Sequence, residues 1–227
     1  MNIYKRYRFP LEVIQYAVWT YYRFNLSVRD VEALLAERGI IVSYEAVRLW
    51  VNKFDPEYTD SLKRKRKELG DTFYIDEVFI KINGIEHYLW RVVDQDDVVD
   101  NLLQKQRDVQ AAKYFFKCLL TNNQGNPSKI INDKLGSYKV AHSELMPAVI
   151  HYTSQYANNK SELSHQLTRV RELGMWKFKS IVQANRFLSV HAEVYNLFNL
   201  GRHLVSAKSY RLLRERAFAS WESVVVV

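Results

Sequence analysis

Residues 72–81 read TFYIDEVFIK, a β-branched and aromatic run with one carboxylate, Asp76, at its centre. That composition specifies a buried strand. An apolar side chain is expected where Asp76 stands. An ionised carboxylate taken out of water without a partner costs several kcal/mol, so such a residue is hydrogen-bonded, paired with a cation or bound to a metal. From the strand alone, a core Asp held by backbone donors and a functional Asp are equally compatible.

Working outward, the strand runs into Asn83-Gly84, a strong hairpin signal. It resumes as HYLWRVVD, turns again around Gln95–Asp97 and continues as VVDNLLQKQ, which predicts a three-strand antiparallel meander. A helix is predicted over Val109–Leu120, with Ala112, Phe115, Phe116 and Leu119 on one face. A short strand follows at Lys129–Asp133, then a turn containing Gly136 into a helical stretch, a strand AVIHYT at 148–153, and a helix over NNKSELSHQLTRVRELG at 158–174. Three antiparallel strands followed by helix, strand, helix, strand, helix is the element order of the ribonuclease-H-like α/β fold.

On the N-terminal side, residues 9–54 read as three short helices. Leu11, Ile14, Val18 and Tyr21 share one face of the first. The second opens at Ser27 with SVRD, a capping-box pattern, and stops at Gly39. The third opens at Ser43 and buries Val47, Trp50, Val51 and Phe54; its other face carries Glu45, Arg48, Leu49 and Asn52. This is helix-turn-helix logic, with Arg48 and Asn52 of the types that read base edges; a plain three-helix bundle has the same periodicity. Residues 55–70 read as a basic linker: Pro56 is expected to break the helix, and Lys63, Arg64, Lys65, Arg66 and Lys67 form a run suited to solvent or to phosphate. At the other end, Ala184, Phe187, Leu188, His191, Val194, Tyr195 and Phe198 form an apolar stripe with His191 read as a core or rim residue, and a last helix is expected over Ala207–Glu222 with Lys208, Arg211, Arg214 and Arg216. The expected organisation is therefore a helix-turn-helix module at 1–54, a linker at 55–70, an α/β core at 71–180, and C-terminal helices at 181–227 packing on the core.

The 227 residues carry a net charge of +8 and are 48% hydrophobic. A basic chain of this kind points to a polyanionic partner. No apolar run is long enough to span a bilayer, MNIYKRYRFP lacks a signal-peptide core, and Cys118 as the one cysteine excludes an intramolecular disulfide; a cytoplasmic protein is expected. No Gly-rich phosphate loop or Cys/His zinc spacing is present, and DQDDVVD lacks the Gly and distal Glu of an EF-hand loop.

Two further carboxylates matter. Asp133 ends a short apolar strand, where ligands bind in α/β sheets, although a turn or N-cap Asp would look the same. Glu162 stands three residues after Asn159, so a capping-box role competes with a functional one. Carboxylates on a central strand, a strand end and a helix opening can converge to hold two hard divalent cations.

The chain resembles the DDE transposases of bacterial insertion sequences, specifically insertion-sequence family six. FNLSVRDVEALLAERGIIVSYEAVRLW is similar to that family's helix-turn-helix, and GDTFYIDEVFIKINGIEHYLWRVVDQD to its first catalytic block. IINDKLGSY and YANNKSELSHQLTRVRE match the second and third, with 28 residues between Asp133 and Glu162. The resemblance implies Asp76, Asp133 and Glu162 as catalytic metal ligands for two Mg²⁺ ions, with Mn²⁺ able to substitute. It implies double-stranded DNA as partner, through terminal inverted repeats and target DNA, and a homodimer or larger assembly without a membrane. His165, in the family's SHQ, is an accessory candidate, and Arg169 on the same helical face is a phosphate contact candidate. The family's Gly after DQD is missing: this chain reads DQDD at 94–97. An inactive remnant that still binds DNA and a helix-turn-helix regulator are the alternative readings.

Overall fold

The computed structural model describes residues 7–24, 26–64, 70–94, 97–122, 127–132, 136–153, 178–201 and 203–224. They fall into two compact units, one of residues 67–188 and one of residues 1–66 with 189–227.

The first of these is built on β1 (Thr72–Ile82), β2 (Ile85–Asp94) and β3 (Asp97–Gln104), followed by α4 (Val109–Asn122), β4 (Lys129–Asn132), α5 (Gly136–Leu145) and β5 (Ile150–Tyr152). The strand order is β3-β2-β1-β4-β5. β1 pairs antiparallel with β2 and parallel with β4, and β4 pairs parallel with β5. An antiparallel meander whose first strand is central, extended by two parallel strands, is the ribonuclease-H-like sheet. The β1–β2 turn has Asn83 at φ 51° and Gly84 at φ 80°, the left-handed pair that a two-residue turn matching strand twist requires. The β2–β3 hairpin closes with Asp94 opposite Asp97, and a bulge follows: Val93 faces Val98 while Val92 faces Asp100, so Val99 is the extra residue. The bulge sets the register beyond it, with Arg91 opposite Asn101. Period-two alternation puts Phe73 and Ile75 on the face that packs with Trp90, Phe115, Phe116 and Tyr138 in the core. Asp108 caps α4 by accepting from the Ala111 amide at 2.8 Å.

The other unit contains α1 (Leu11–Arg23), α2 (Val28–Ala36) and α3 (Tyr44–Arg64). Ser27 and Asp30 form the reciprocal capping box that SVRD predicts, and Gly39 at φ 73° ends α2 in the left-handed conformation. α3 differs from the sequence reading: Pro56 does not break it, and the helix continues to Arg64. An interior Pro costs about 3 kcal/mol. Continued helix keeps Tyr58 and Leu62 on the face of Phe54, all three buried, and each such side chain gains about 1.5–3 kcal/mol. The ten residues expected to open the linker are therefore helical. Two further helices are α6 (Ile181–Phe198), whose residues to Leu188 belong to the α/β unit, and α7 (Ala207–Ser223). Tyr58 stacks on Trp221 at 4.1 Å, Trp19 packs on Phe198 and Phe218, and Gln15 donates to the Glu222 carbonyl at 3.1 Å. These contacts join Phe198, Phe218, Trp221 and Glu222 to the N-terminal helices. Among the described residues no helix is long and apolar enough to cross a membrane.

Candidate active site

Asp76 lies on the central strand and is only partly buried. It stands opposite Arg91 of β2 in register, so the two side chains leave the same face of the sheet. Arg91 is almost wholly buried, and its Nε donates to Asn101 Oδ1 at 2.8 Å. On the other side of β1, the parallel register with β4 runs from Thr72 opposite Lys129 to Ile75 opposite Asn132. The described part of β4 thus ends one position short of Asp76. The first carboxylate candidate sits beside the carboxyl end of a parallel strand, where open α/β sheets place ligands.

The buried carboxylate of β1 is a different residue. The side chain of Glu77 is 3% exposed, and its Oε1 lies 3.0 Å from Arg107 Nε. Its Oε2 accepts from the hydroxyl of Tyr138. Adjacent strand residues point to opposite faces, so Glu77 turns away from Asp76 toward α4 and α5. Sequence reasoning missed it. The available signal was its period-two phase with the core residues Phe73 and Ile75.

A family model described as a DDE domain matches residues 70–200. The transposase for insertion sequence-like element IS431mec of Staphylococcus aureus is 35% identical over 208 residues, covering 89% of this chain and 91% of the relative. The transposase for insertion sequence element IS257 in transposon Tn4003, also of Staphylococcus aureus, matches to the same extent. The chain belongs to the DDE transposases of insertion-sequence family six. The crystal structure of the catalytic domain of Mos1 mariner transposase aligns over 76% of this chain and 90% of its own at 14% identity, with a TM-score of 0.44; the fold assignment rests on the strand order.

Of the acidic residues expected in this DDE transposase, Asp76 is described; Asp133 and Glu162 lie outside the described residues, as do His165, Arg169, Lys65, Arg66 and Lys67. Among the described residues there is no cluster of three or more His, Cys, Asp or Glu side chains able to hold a metal. The described DNA-contact candidates are all on α3. Arg48 and Asn52 are exposed beside Leu49, which is 54% exposed. Arg48 makes a two-pronged pair with Glu45, Nε to Oε2 at 2.9 Å and Nη2 to Oε1 at 2.5 Å. That hydrogen bond raises the Arg48 pKa and lowers that of Glu45. Lys63 and Arg64 are exposed in the last turn of α3 rather than in a linker.

Proposed function

We propose that this transposase cleaves one DNA strand at each end of its element and joins the exposed 3′-hydroxyls to target DNA, using Asp76, Asp133 and Glu162. The observation that supports the reading is the β1–β4 register: Asn132 faces Ile75, and Asp133 and Asp76 are the residues that follow them in sequence. Consecutive Cα atoms are about 3.8 Å apart and neighbouring strands about 4.8 Å, so the residue after Asn132 is within reach of Asp76. Their donor chemistry fits a hard divalent cation, Mg²⁺ with Mn²⁺ as substitute, since carboxylate oxygens suit such ions. Glu77 is committed to Arg107 and Tyr138, so the carboxylate left to β1 for this purpose is Asp76. Ions held by Asp76, Asp133 and Glu162 would supply positive charge to an in-line phosphoryl displacement. In the first displacement water attacks phosphorus and the 3′-oxygen leaves as a hydroxyl; in the second that hydroxyl attacks the phosphorus of a target phosphodiester, whose own 3′-oxygen leaves as a hydroxyl.

The chain's remaining parts bind and orient DNA. Residues 9–54 read the terminal inverted repeats through α3, where Arg48 can exchange Glu45 for a guanine edge and Asn52 can pair with adenine. Lys63 to Lys67 and Arg169 neutralise phosphates, and His165 orients substrate beside Glu162. Two ends must be held together, which calls for a homodimer or larger assembly in the cytoplasm.

The test is a nicking assay with Mg²⁺ on a labelled inverted repeat, comparing the wild type with Glu162→Gln. If Glu162 were a capping residue, a Gln could make the same hydrogen bond and would lose only about 0.3–1 kcal/mol of helix-terminus charge. The variant is expected to fold, to bind the repeat and to lose both nicking and joining. Normal nicking by Glu162→Gln would remove Glu162 from the site.

A further inference from the structure

α7 carries Lys208, Arg211, Arg214 and Arg216 against two acidic residues, Glu215 and Glu222, and the chemistry above uses none of them. The helix belongs to the same compact unit as residues 9–54. Residues three apart on a helix are neighbours, so Lys208, Arg211 and Arg214 form one ridge, and all three are exposed. The ridge ends beside a further arginine from α1. Arg214 lies over the Phe218 ring, 5.6 Å from its centroid, and Phe218 packs on Phe198 at 5.0 Å. Arg23, in the last turn of α1, donates through Nη2 to the Phe198 carbonyl at 3.3 Å. The two guanidiniums thus attach to one pair of aromatic residues. Burial lowers the pKa of Arg23; Tyr210 and Tyr195 oppose this, and the Arg214 charge adds to the lowering. Among the described residues no carboxylate forms an ion pair with Arg23, Arg211 or Arg214.

Packing accounts for each arginine singly. Arg23 satisfies a carbonyl at the end of α6, and Arg214 covers a ring. It does not account for their grouping, because like charges without a counter-ion cost stability. An anion turns that cost into a gain, and in a unit that also carries α3 the anion that fits is a DNA phosphate. We propose that Arg23, Arg214 and Arg211 form a phosphate-binding surface through which α7 grips the backbone of the DNA held by the helix-turn-helix. This rests on the proposed role of residues 9–54 in binding the terminal repeats. Guanidinium forks match phosphate oxygens in pairs, and such contacts add affinity and fix register without reading sequence.

The experiment titrates the full chain, without metal, on duplexes carrying the inverted repeat or a scrambled sequence, over a series of salt concentrations. Arg211→Gln and Arg214→Gln should each weaken binding to both duplexes by the same factor, so that the preference for the repeat is kept. Each should also reduce the slope of log K against log salt by about 0.9, the loss of one phosphate contact. Both should melt no lower than the wild type, since each removes a like charge. Arg214→Lys keeps the charge and should keep the slope. Arg48→Ala should instead reduce the preference for the repeat. An unchanged slope for either Gln variant would strike that arginine from the surface, and unchanged slopes for both would overturn it. A lower melting temperature for Arg214→Gln with an unchanged slope would assign Arg214 to packing alone. Equal binding of both duplexes by the wild type would remove the helix-turn-helix reading, while the slopes would still decide the role of α7. No binding of either duplex would overturn both.

Discussion

His142 of α5 and His151 of β5 stack with ring centroids 4.7 Å apart, and His151 Nε2 lies 2.9 Å from Asn132 Oδ1. Burial holds the pKa of both rings below the ordinary value; for His151 the neighbouring His142 and Lys139 charges push the same way. Both rings therefore bind protons less readily in the folded chain than in the unfolded one. Stability from this pair is fully present above the unfolded value, about 6.5, and is lost as pH falls through the lower folded values. The urea midpoint should hold steady from pH 8 to 7 and decline below about 6.5, and His151→Gln should flatten that decline; an unchanged slope in the variant would assign it to other groups. At this scale the sequence is legible where spacing forces an outcome. Ser27 and Asp30 cap α2 as SVRD predicts, and Asp76 sits on the central strand. It is not legible where partners come from distant elements: Glu77 meets Tyr138 across 61 positions, and the stacked histidines lie on different elements. No local pattern encodes either.

α3 shows how packing overrides a strong local signal. Pro56 argues for a break on backbone grounds alone, but the helix continues because Phe54, Tyr58 and Leu62 recur at helical spacing and are buried. If α3 is continuous, Pro56→Ala restores a backbone donor to a helix interior and should raise stability by up to about 3 kcal/mol, seen as a higher melting temperature. A helix broken there would gain nothing, since Pro already restricts the unfolded chain. The sheet elements were legible for the opposite reason. β1 and β2 are long, apolar and joined by Asn83-Gly84, so composition, period and turn agree. The bulge at Val99 was not legible, because Val98 and Val99 are both buried and two adjacent valines do not show which is the extra one.

For the whole molecule, residues 189–227 belong with 1–66 rather than with the α/β unit. Amphipathic stripes announce that a helix buries a face but not against which partner, so the C-terminal helices are legible as helices while their partners are not. Removal of residues 203–227 takes away Phe218, which packs on Trp19, and Trp221, which stacks on Tyr58. The truncated chain should lose inverted-repeat binding along with helical signal; retained binding by a folded truncation would show the N-terminal helices to be self-sufficient. The central proposal is that DNA cleavage depends on the carboxylate of Asp76 as a metal ligand. Its most direct test is single-turnover nicking of a labelled inverted repeat with Mg²⁺, comparing the wild type with Asp76→Asn at saturating binding. The account predicts that the variant binds the repeat as tightly as the wild type, melts no lower in the absence of metal, because relief of carboxylate repulsion offsets the substitution, and yields no nicked strand. Nicking at the wild-type rate, or a clear loss of metal-free stability accompanying the lost activity, would contradict it.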